Sequence, residues 1–368
     1  MSALAQLPTY GQSPWLDFIN RRFLVDGSLT RLIEEDGIRG VTSNPAIFEQ
    51  AIARSHDYDE QIAYLTGEGL SALEIYDRLS VQDVAMAADQ FRFVFDATNE
   101  LDGYVSLEVS PHLAHDTEGT LADARRLWRE LSRPNVMIKV PATQAGIPAI
   151  QQLLTEGINV NITLLFSVDR YREVAEAYVA AMMARAKQGL PPAVASVASF
   201  FVSRVDSLVD AQLAEIGTPE ALGLQGQAAV ANSIRAYGVG LEVFGNPDFQ
   251  ALMKDQGARV QRLLWASTST KDPLYPKTKY VEALIGPDTV NTLPLATIDD
   301  YRDAGQPADR LTGSLPQALA TLDQLKNVGI DMDAVAQALE DDGIAKFVVP
   351  FDTLIEAIEA KRQSVVVG

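Results

Sequence analysis

The sequence predicts a (β/α)8 TIM barrel of the α/β class, with additional helices inserted between strands and at the C-terminus. Three observations predict it. Eight short apolar runs recur along the chain, amphipathic helical segments separate them, and no stretch has the Pro/Gly/Ser-rich, charged character of a linker. Strands alternating with helices favour a parallel sheet, and eight of them favour a closed barrel over an open sheet. Such a barrel needs about 250 residues. The chain has 368, with 47% hydrophobic content, so a large core and a surplus of helix are both expected. Residues 1–368 read as one elaborated domain.

The elements follow in order. Trp15–Phe18 and Arg39–Thr42 are the first two candidate strands. Residues 46–98 read as several helices before the third strand, Tyr104–Val109. Val136–Val140 and Asn159–Thr163 are the fourth and fifth. The clearest helix is Asp169–Lys187, where Tyr171, Val174, Ala175, Tyr178, Val179, Met182 and Met183 recur at helical spacing as a core-facing stripe. Ser167 is its expected N-cap, and Gly189 followed by Pro191 and Pro192 stops it. Ser196–Phe200 is the sixth strand, and residues 218–258 supply extra helix. Arg262–Ala266 and Thr289–Leu293 complete the eight. Residues 313–361 read as C-terminal helices that pack on the barrel and could cover one face. The terminal Ser-Val-Val-Val-Gly is apolar but too short to read. No fixed-period repeat occurs.

Bulk chemistry narrows the function. The net charge is −19, from 30 basic and 49 acidic side chains, and no stretch is densely basic. An acidic surface repels phosphate backbones and anionic lipid, so neither nucleic acid nor membrane is an expected partner. The positive groups that meet an anionic substrate must then be local and few. The absence of cysteine excludes disulfides, thiolate metal sites and thiol nucleophiles. The opening MSALAQLPTYGQSPW has no basic-then-apolar leader, and no run of about 18 apolar residues occurs. A soluble cytoplasmic protein is expected, and a homo-oligomer stays open.

Several motifs fail in context. Gly67–Ala72 matches a loose dinucleotide fingerprint but follows DEQIAYLT, which reads as helix rather than strand. His112-Leu113-Ala114-His115-Asp116 lacks a clear third ligand, so no metal site is expected. There is no P-loop and no Gly-x-Ser-x-Gly.

Barrels of this kind carry their chemistry at the C-terminal ends of the strands. Those ends give Asp17, Asn44, Glu108, Lys139, Asn161, Thr163 and Ser199. Each has a plain structural reading. Asn44 before Pro45 suits a turn, Asp17 and Glu108 suit paired carboxylates, and Thr163 is a good strand former. Together they would point into one mouth, where burying them without a ligand or water is costly.

Lys139 stands inside the apolar run NVMIKVPAT and must snorkel, pair with an acid or give up its proton. An apolar setting disfavours the ammonium form, and a lysine without its proton can attack a ketone to form an imine. Once protonated, that imine is an electron sink that lets a C–C bond two atoms away break without metal or bound cofactor. Glu108 or Asp17 would handle the protons, directly or through water. The alternative for Lys139 is a buried ion pair with one of those acids.

Phosphate binding is read from two segments. Arg204 lies just past the sixth strand, and Ser267-Thr268-Ser269-Thr270-Lys271 follows the seventh. Late strand loops of barrels often bind phosphate, and hydroxyls with one or two cations suit its oxygens. The alternatives are an ordinary polar loop, and an Arg204 paired with Asp206 or Asp210 of its own helix.

Taken together, Gly-Val-Thr-Ser-Asn-Pro (40–45), Ser-Leu-Glu-Val (106–109), Ile-Lys-Val-Pro-Ala-Thr (138–143), Gly-Ile-Asn-Val-Asn-Ile-Thr-Leu-Leu-Phe (157–166) and Ser-Phe-Phe-Val-Ser-Arg (199–204) resemble the transaldolase family, in its order and at similar spacing. Trp-Ala-Ser-Thr (265–268) and Val-Asn-Thr-Leu-Pro (290–294) extend the resemblance over most of the chain, which looks most like the bacterial branch with longer chains. The resemblance implies a (β/α)8 barrel that moves a dihydroxyacetone unit from sedoheptulose 7-phosphate to glyceraldehyde 3-phosphate, giving erythrose 4-phosphate and fructose 6-phosphate in the non-oxidative pentose phosphate pathway. It implies small-molecule sugar phosphates as partners and no metal or organic cofactor.

Position by position, it implies that Lys139 forms the imine and that Glu108 is the acid/base, acting through a water held with Thr163. Asp17 handles the hydroxyl proton of the bond that is cleaved. Asn44, Asn161 and Ser199 hold the three-carbon unit, and Arg204 and Ser267 grip the phosphate. Shorter members place an arginine soon after the position of Ser267. Here Thr268-Ser269 stands there, so Lys271 is expected to supply the charge, as a point cation rather than a planar fork. The alternatives are a fructose 6-phosphate aldolase-like lyase on the same barrel and a non-catalytic sugar-phosphate-binding barrel.

Overall fold

The computed structural model describes residues 2–367; Met1, Gly368 and the side chains of 365–367 lie outside that description, and with them most of the apolar tail. Eight parallel strands close into a barrel in sequence order: β1 (Gln12–Asp17), β2 (Gly40–Thr42), β3 (Tyr104–Glu108), β4 (Val136–Pro141), β5 (Val160–Leu165), β6 (Ser196–Phe201), β7 (Arg262–Ala266) and β8 (Thr289–Leu293). Each apolar run read as a strand is one. β1 starts earlier than its apolar residues suggest, because Gln12–Leu16 pair along the whole of β8. β5 runs on to Leu165 past a slip in register after Ile162, where Leu164 takes φ +60°. Gly40 leaves room for a large neighbour, since a Cβ there would stand 2.5 Å from the Trp15 ring.

The surplus sequence is helical where it was expected. Pro45–Phe48, a π turn at Glu49–Ala53, Asp59–Gly67 and Ala72–Ala97 fill the segment between β2 and β3. The longest of these starts at a capping box in which Ser71 and Glu74 satisfy each other's backbone N–H. Pro219–Leu222, Ala228–Phe244 and Pro247–Gln256 precede β7. The helix Val168–Lys187 is capped by Ser167, whose side chain accepts from the Arg170 N–H. Its stripe is buried at Tyr171, Val174, Ala175, Tyr178 and Met182 and partly buried at Val179, whereas Met183 is 38% exposed, one helical step of about 100° round from the core face. None of the helices among the described residues is long and apolar enough to cross a membrane.

Two features frame the barrel. At the N-terminal end of the strands, Asp102 accepts from Ser13 Oγ at 2.7 Å, Arg262 Nη2 at 2.9 Å and Trp15 Nε1 at 3.2 Å. Burial alone would raise its pKa, but the Arg262 charge and these hydrogen bonds hold it below the ordinary carboxylate value. Asp102→Ala should cost about 3–5 kcal/mol, because it strands a buried guanidinium. A drop in the denaturant midpoint with catalytic constants unchanged in the folded fraction would show it.

At the opposite end lies the helix Met332–Val367. It packs on the helices between β2 and β3 and reaches β5. Gly343 is its point of close fit, since a Cβ there would sit 3.0 Å from Leu164 Cδ2.

Candidate active site

Strand register assembles the polar ends into one mouth. Glu108 lies opposite Lys139, Lys139 opposite Asn161, and Pro141 opposite Thr163. Because side chains alternate along a strand, Glu108, Lys139 and Asn161 share a layer and Thr163 sits one layer above Asn161 on the same face.

Lys139 is 4% exposed. Its Nζ stands 3.3 Å from Glu108 Oε2 and donates to the Ser43 carbonyl at 3.1 Å. The ring of Phe347, from the C-terminal helix, covers it at 5.3 Å from the centroid. The ion pair weighed for this lysine is therefore present, and it lies inside the mouth. Its geometry leaves both Glu108 oxygens without a hydrogen bond, and buried Thr163 Oγ1 also has none. An unmet buried polar atom costs about 1–3 kcal/mol, so their clustering marks a place built for something other than stability. Burial pushes the Glu108 carboxyl up to about 7, against the pull of the Lys139 charge.

Asp17 closes the other side. Thr42 Oγ1 donates to it at 2.6 Å and lies 2.7 Å from Thr292 Oγ1, so β1, β2 and β8 together fix the carboxylate. Burial raises its pKa, opposed by the Thr42 hydrogen bond and by the charges of Lys139, Lys271 and Arg204. Asn161 is held from both sides. It donates to Ser106 Oγ at 3.0 Å and accepts from Ser199 Oγ at 2.7 Å. Ser106, Thr42 and Thr292 were missed by sequence reasoning. The available signal for Ser106 was its place two residues before Glu108, on the same strand face.

Asn44 is an N-cap. Its Oδ1 accepts from the Ile47 N–H at 3.0 Å, which starts the helix Pro45–Phe48. The turn reading thus takes one lone pair of its oxygen, and the amide NH2 is left to meet a ligand.

Arg204 does not pair with the acids of its own helix. Asp206 is engaged by Lys279 and Tyr280, and Asp210 by Tyr275 and the Gly226 N–H. Among the described residues Arg204 makes no ion pair, its Nη1 is buried without a partner, and its guanidinium lies 5.4 Å from the Phe201 ring centroid. Burial disfavours its charge, with Asp342 and Asp17 acting the other way. Ser267 sits in the left-handed region at φ +56°, with Oγ 3.0 Å from Ser203 Oγ. A serine held there stores strain of about 1–3 kcal/mol, as residues at functional sites often do. Lys271 is exposed and donates to Ser269 Oγ at 2.7 Å. Burial of part of its stem and the nearby Arg204 lower its pKa, while Asp17 opposes them. The loop is more than a polar stretch, since buried Thr268 donates to Asn291 Oδ1 at 2.8 Å and ties β7 to β8.

His112 contacts Asp352 Oδ1 at 2.7 Å, and no cluster of three metal-ligating side chains occurs among the described residues. A separate cavity of about 450 Å³ reaches Glu108 from the flank, between Tyr76, Leu113, Leu127 and Phe351.

A model of the transaldolase/fructose-6-phosphate aldolase family matches residues 14–358. The chain is 47% identical to transaldolase 1 of Streptomyces coelicolor over 364 residues, covering 98% of this chain and 95% of that one. It is 46% identical to the transaldolase of Thermobifida fusca over 359 residues, 97% of each chain. To the transaldolase of Mycobacterium bovis it is 45% identical over 359 residues, 97% of this chain and 96% of the relative.

Proposed function

The chain belongs to the transaldolase/fructose-6-phosphate aldolase family, and from that premise we propose that it is a transaldolase working through an imine on Lys139. The observation that carries this is a lysine 4% exposed at a barrel mouth, 3.3 Å from a carboxylate whose oxygens have no hydrogen bond.

The geometry suits the following sequence of events. Glu108, held at about 7, is a base suited to neutral pH and takes the proton that leaves Nζ during attack on the donor ketone. It returns a proton to the departing carbonyl oxygen, which leaves as water, and Thr163 lies on the same wall to hold that water. Asp17 takes the proton of the hydroxyl on the carbon beyond the bond to be cleaved. The bond's electrons pass into the imine, which becomes an enamine, and the aldose leaves. An incoming aldehyde reverses the step. Its carbonyl carbon is attacked by the enamine, Asp17 returns the proton, and water then releases the new ketose from Lys139. The Ser199–Asn161–Ser106 chain, strapped across three strands, suits holding the hydroxyls of the three-carbon unit. With sedoheptulose 7-phosphate as donor and glyceraldehyde 3-phosphate as acceptor, this is the transfer step of the non-oxidative pentose phosphate pathway. A cytoplasmic location goes with that reading.

Trapping tests it. Donor ketose plus borohydride should leave a reduced adduct that mass spectrometry maps to the peptide bearing Lys139. An adduct elsewhere, or none, would overturn the assignment. Release of free dihydroxyacetone without acceptor, at a rate matching transfer, would instead favour the aldolase reading.

Arg204 and Ser267 suit the substrate phosphate, since Arg204 has no other ion-pair partner among the described residues and a buried free Nη1. A lost charged hydrogen bond is worth about 1.5–3 kcal/mol, so Arg204→Ala should raise KM for phosphorylated donor about 10- to 100-fold. Adduct formation from unphosphorylated dihydroxyacetone should not change. Equal losses with both ligands would place Arg204 outside phosphate recognition.

A further inference from the structure

Transfer of the three-carbon unit requires that water reach the covalent intermediate more slowly than the acceptor aldehyde does. The acids and hydroxyls of the mouth cannot supply that discrimination, because they hydrogen-bond water as readily as sugar. One apolar surface beside the reacting nitrogen comes from outside the barrel. Phe347, itself 4% exposed, presents its ring to Lys139 Nζ at 5.3 Å from the centroid. The helix that carries it has little freedom to stand off. Gly343, one turn earlier, is seated closely against Leu164, where a Cβ would stand 3.0 Å from Leu164 Cδ2. Asp342 lies within electrostatic reach of Arg204. One turn later, Phe351 packs edge-on against Tyr76 at 5.4 Å and His112 at 5.8 Å.

We propose that Phe347 is the residue that keeps water off the Lys139-bound intermediate and so sets the ratio of transfer to hydrolysis. This rests on the imine reading above and adds to it the group that protects the enamine. The unwanted reaction is defined. The enamine takes a proton on carbon and becomes an iminium ion. Water then adds to the iminium carbon, the C–N bond breaks, dihydroxyacetone leaves, and Lys139 keeps the nitrogen. The ring, 5.3 Å from Nζ, opposes the first of these steps: it keeps water from delivering a proton to the enamine carbon, a step that transfer and product release do not need.

The experiment measures dihydroxyacetone released per ketose transferred, with donor present and acceptor varied, for the wild type, Phe347→Ala and Phe347→Leu. Borohydride trapping on Lys139 is run on each. Phe347→Ala should raise the release-to-transfer ratio about tenfold, with the trapped adduct still on Lys139. Phe347→Leu, which keeps most of the apolar volume, should raise it about threefold and serves as the deciding variant if the alanine chain does not fold. A ratio unchanged in a folded variant overturns the proposal and moves the entry of water to the flank cavity beside Glu108. A wild type that forms no adduct on Lys139 overturns the imine reading instead, so the two failures are distinct.

Discussion

Lys139→Met is expected to abolish the trapped donor adduct and to lower turnover by on the order of 10⁴-fold or more, as removal of a covalent nucleophile does. Methionine is the informative replacement because it fills nearly the same volume and rotamer space and suits the apolar roof of Phe347. The variant loses an amine that is 4% exposed, ion-paired with Glu108 and bonded to the Ser43 carbonyl. Glu108 would then be buried without its cation. Its raised pKa lets it remain protonated near neutrality, so the fold should survive. Circular dichroism and a melting curve check that half of the expectation, and single-turnover trapping checks the other. Residual adduct would identify another lysine as the nucleophile.

Glu108→Gln carries the second large effect, a loss of about 10²–10⁴ in kcat, the usual worth of a positioned acid/base. It also makes a pH-dependent statement about stability. Burial raises the folded-state pKa of Glu108 from 4.5 to about 7. Between those values the folded chain keeps a proton that the unfolded chain has released. Stability therefore falls as pH rises from about 4.5 to about 7, by up to about 3 kcal/mol for a shift of this size. Glutamine does not titrate and should flatten that slope. Denaturant midpoints of the two proteins at pH 5 and pH 8 read the difference directly. If the gap does not move in favour of the variant at the higher pH, the carboxyl is not held protonated by its surroundings.

Much of this was legible in the sequence for a physical reason. A buried parallel strand reads as a continuous apolar run, so polar residues that interrupt it are conspicuous, and Glu108, Lys139, Asn161 and Thr163 were found that way. What stayed illegible depends on distant partners. Ser106, Thr42 and Thr292 look like ordinary strand residues until the register sets them beside Asn161 and Asp17. Asn44 could be a ligand or a cap, and only the Ile47 N–H decides for its oxygen. Lys271 stands exposed in the loop the sequence pointed to, with its ammonium on Ser269 and both Arg204 and Asp17 within electrostatic reach, and half-buried Arg204 makes no ion pair among the described residues. Phe347 is the largest omission. Its helix announces by its pattern that it packs, but nothing local tells which surface it will lie across.

The closure of the barrel carries one more implication, about order of assembly. Its seam joins β1 to β8, with Gln12 reaching Thr289 across 277 positions of chain. Bringing such remote strands together is the entropically costly, slow kind of contact. Asp17 sits on that seam, steadied by a threonine of β2 that leans on one of β8. A folding chain that lacks β8 can already align Lys139 with Glu108 and set Asp17 beside Thr42, yet Thr42 then has no Thr292 to lean on. The last support of that carboxylate thus arrives only when the ring is sealed.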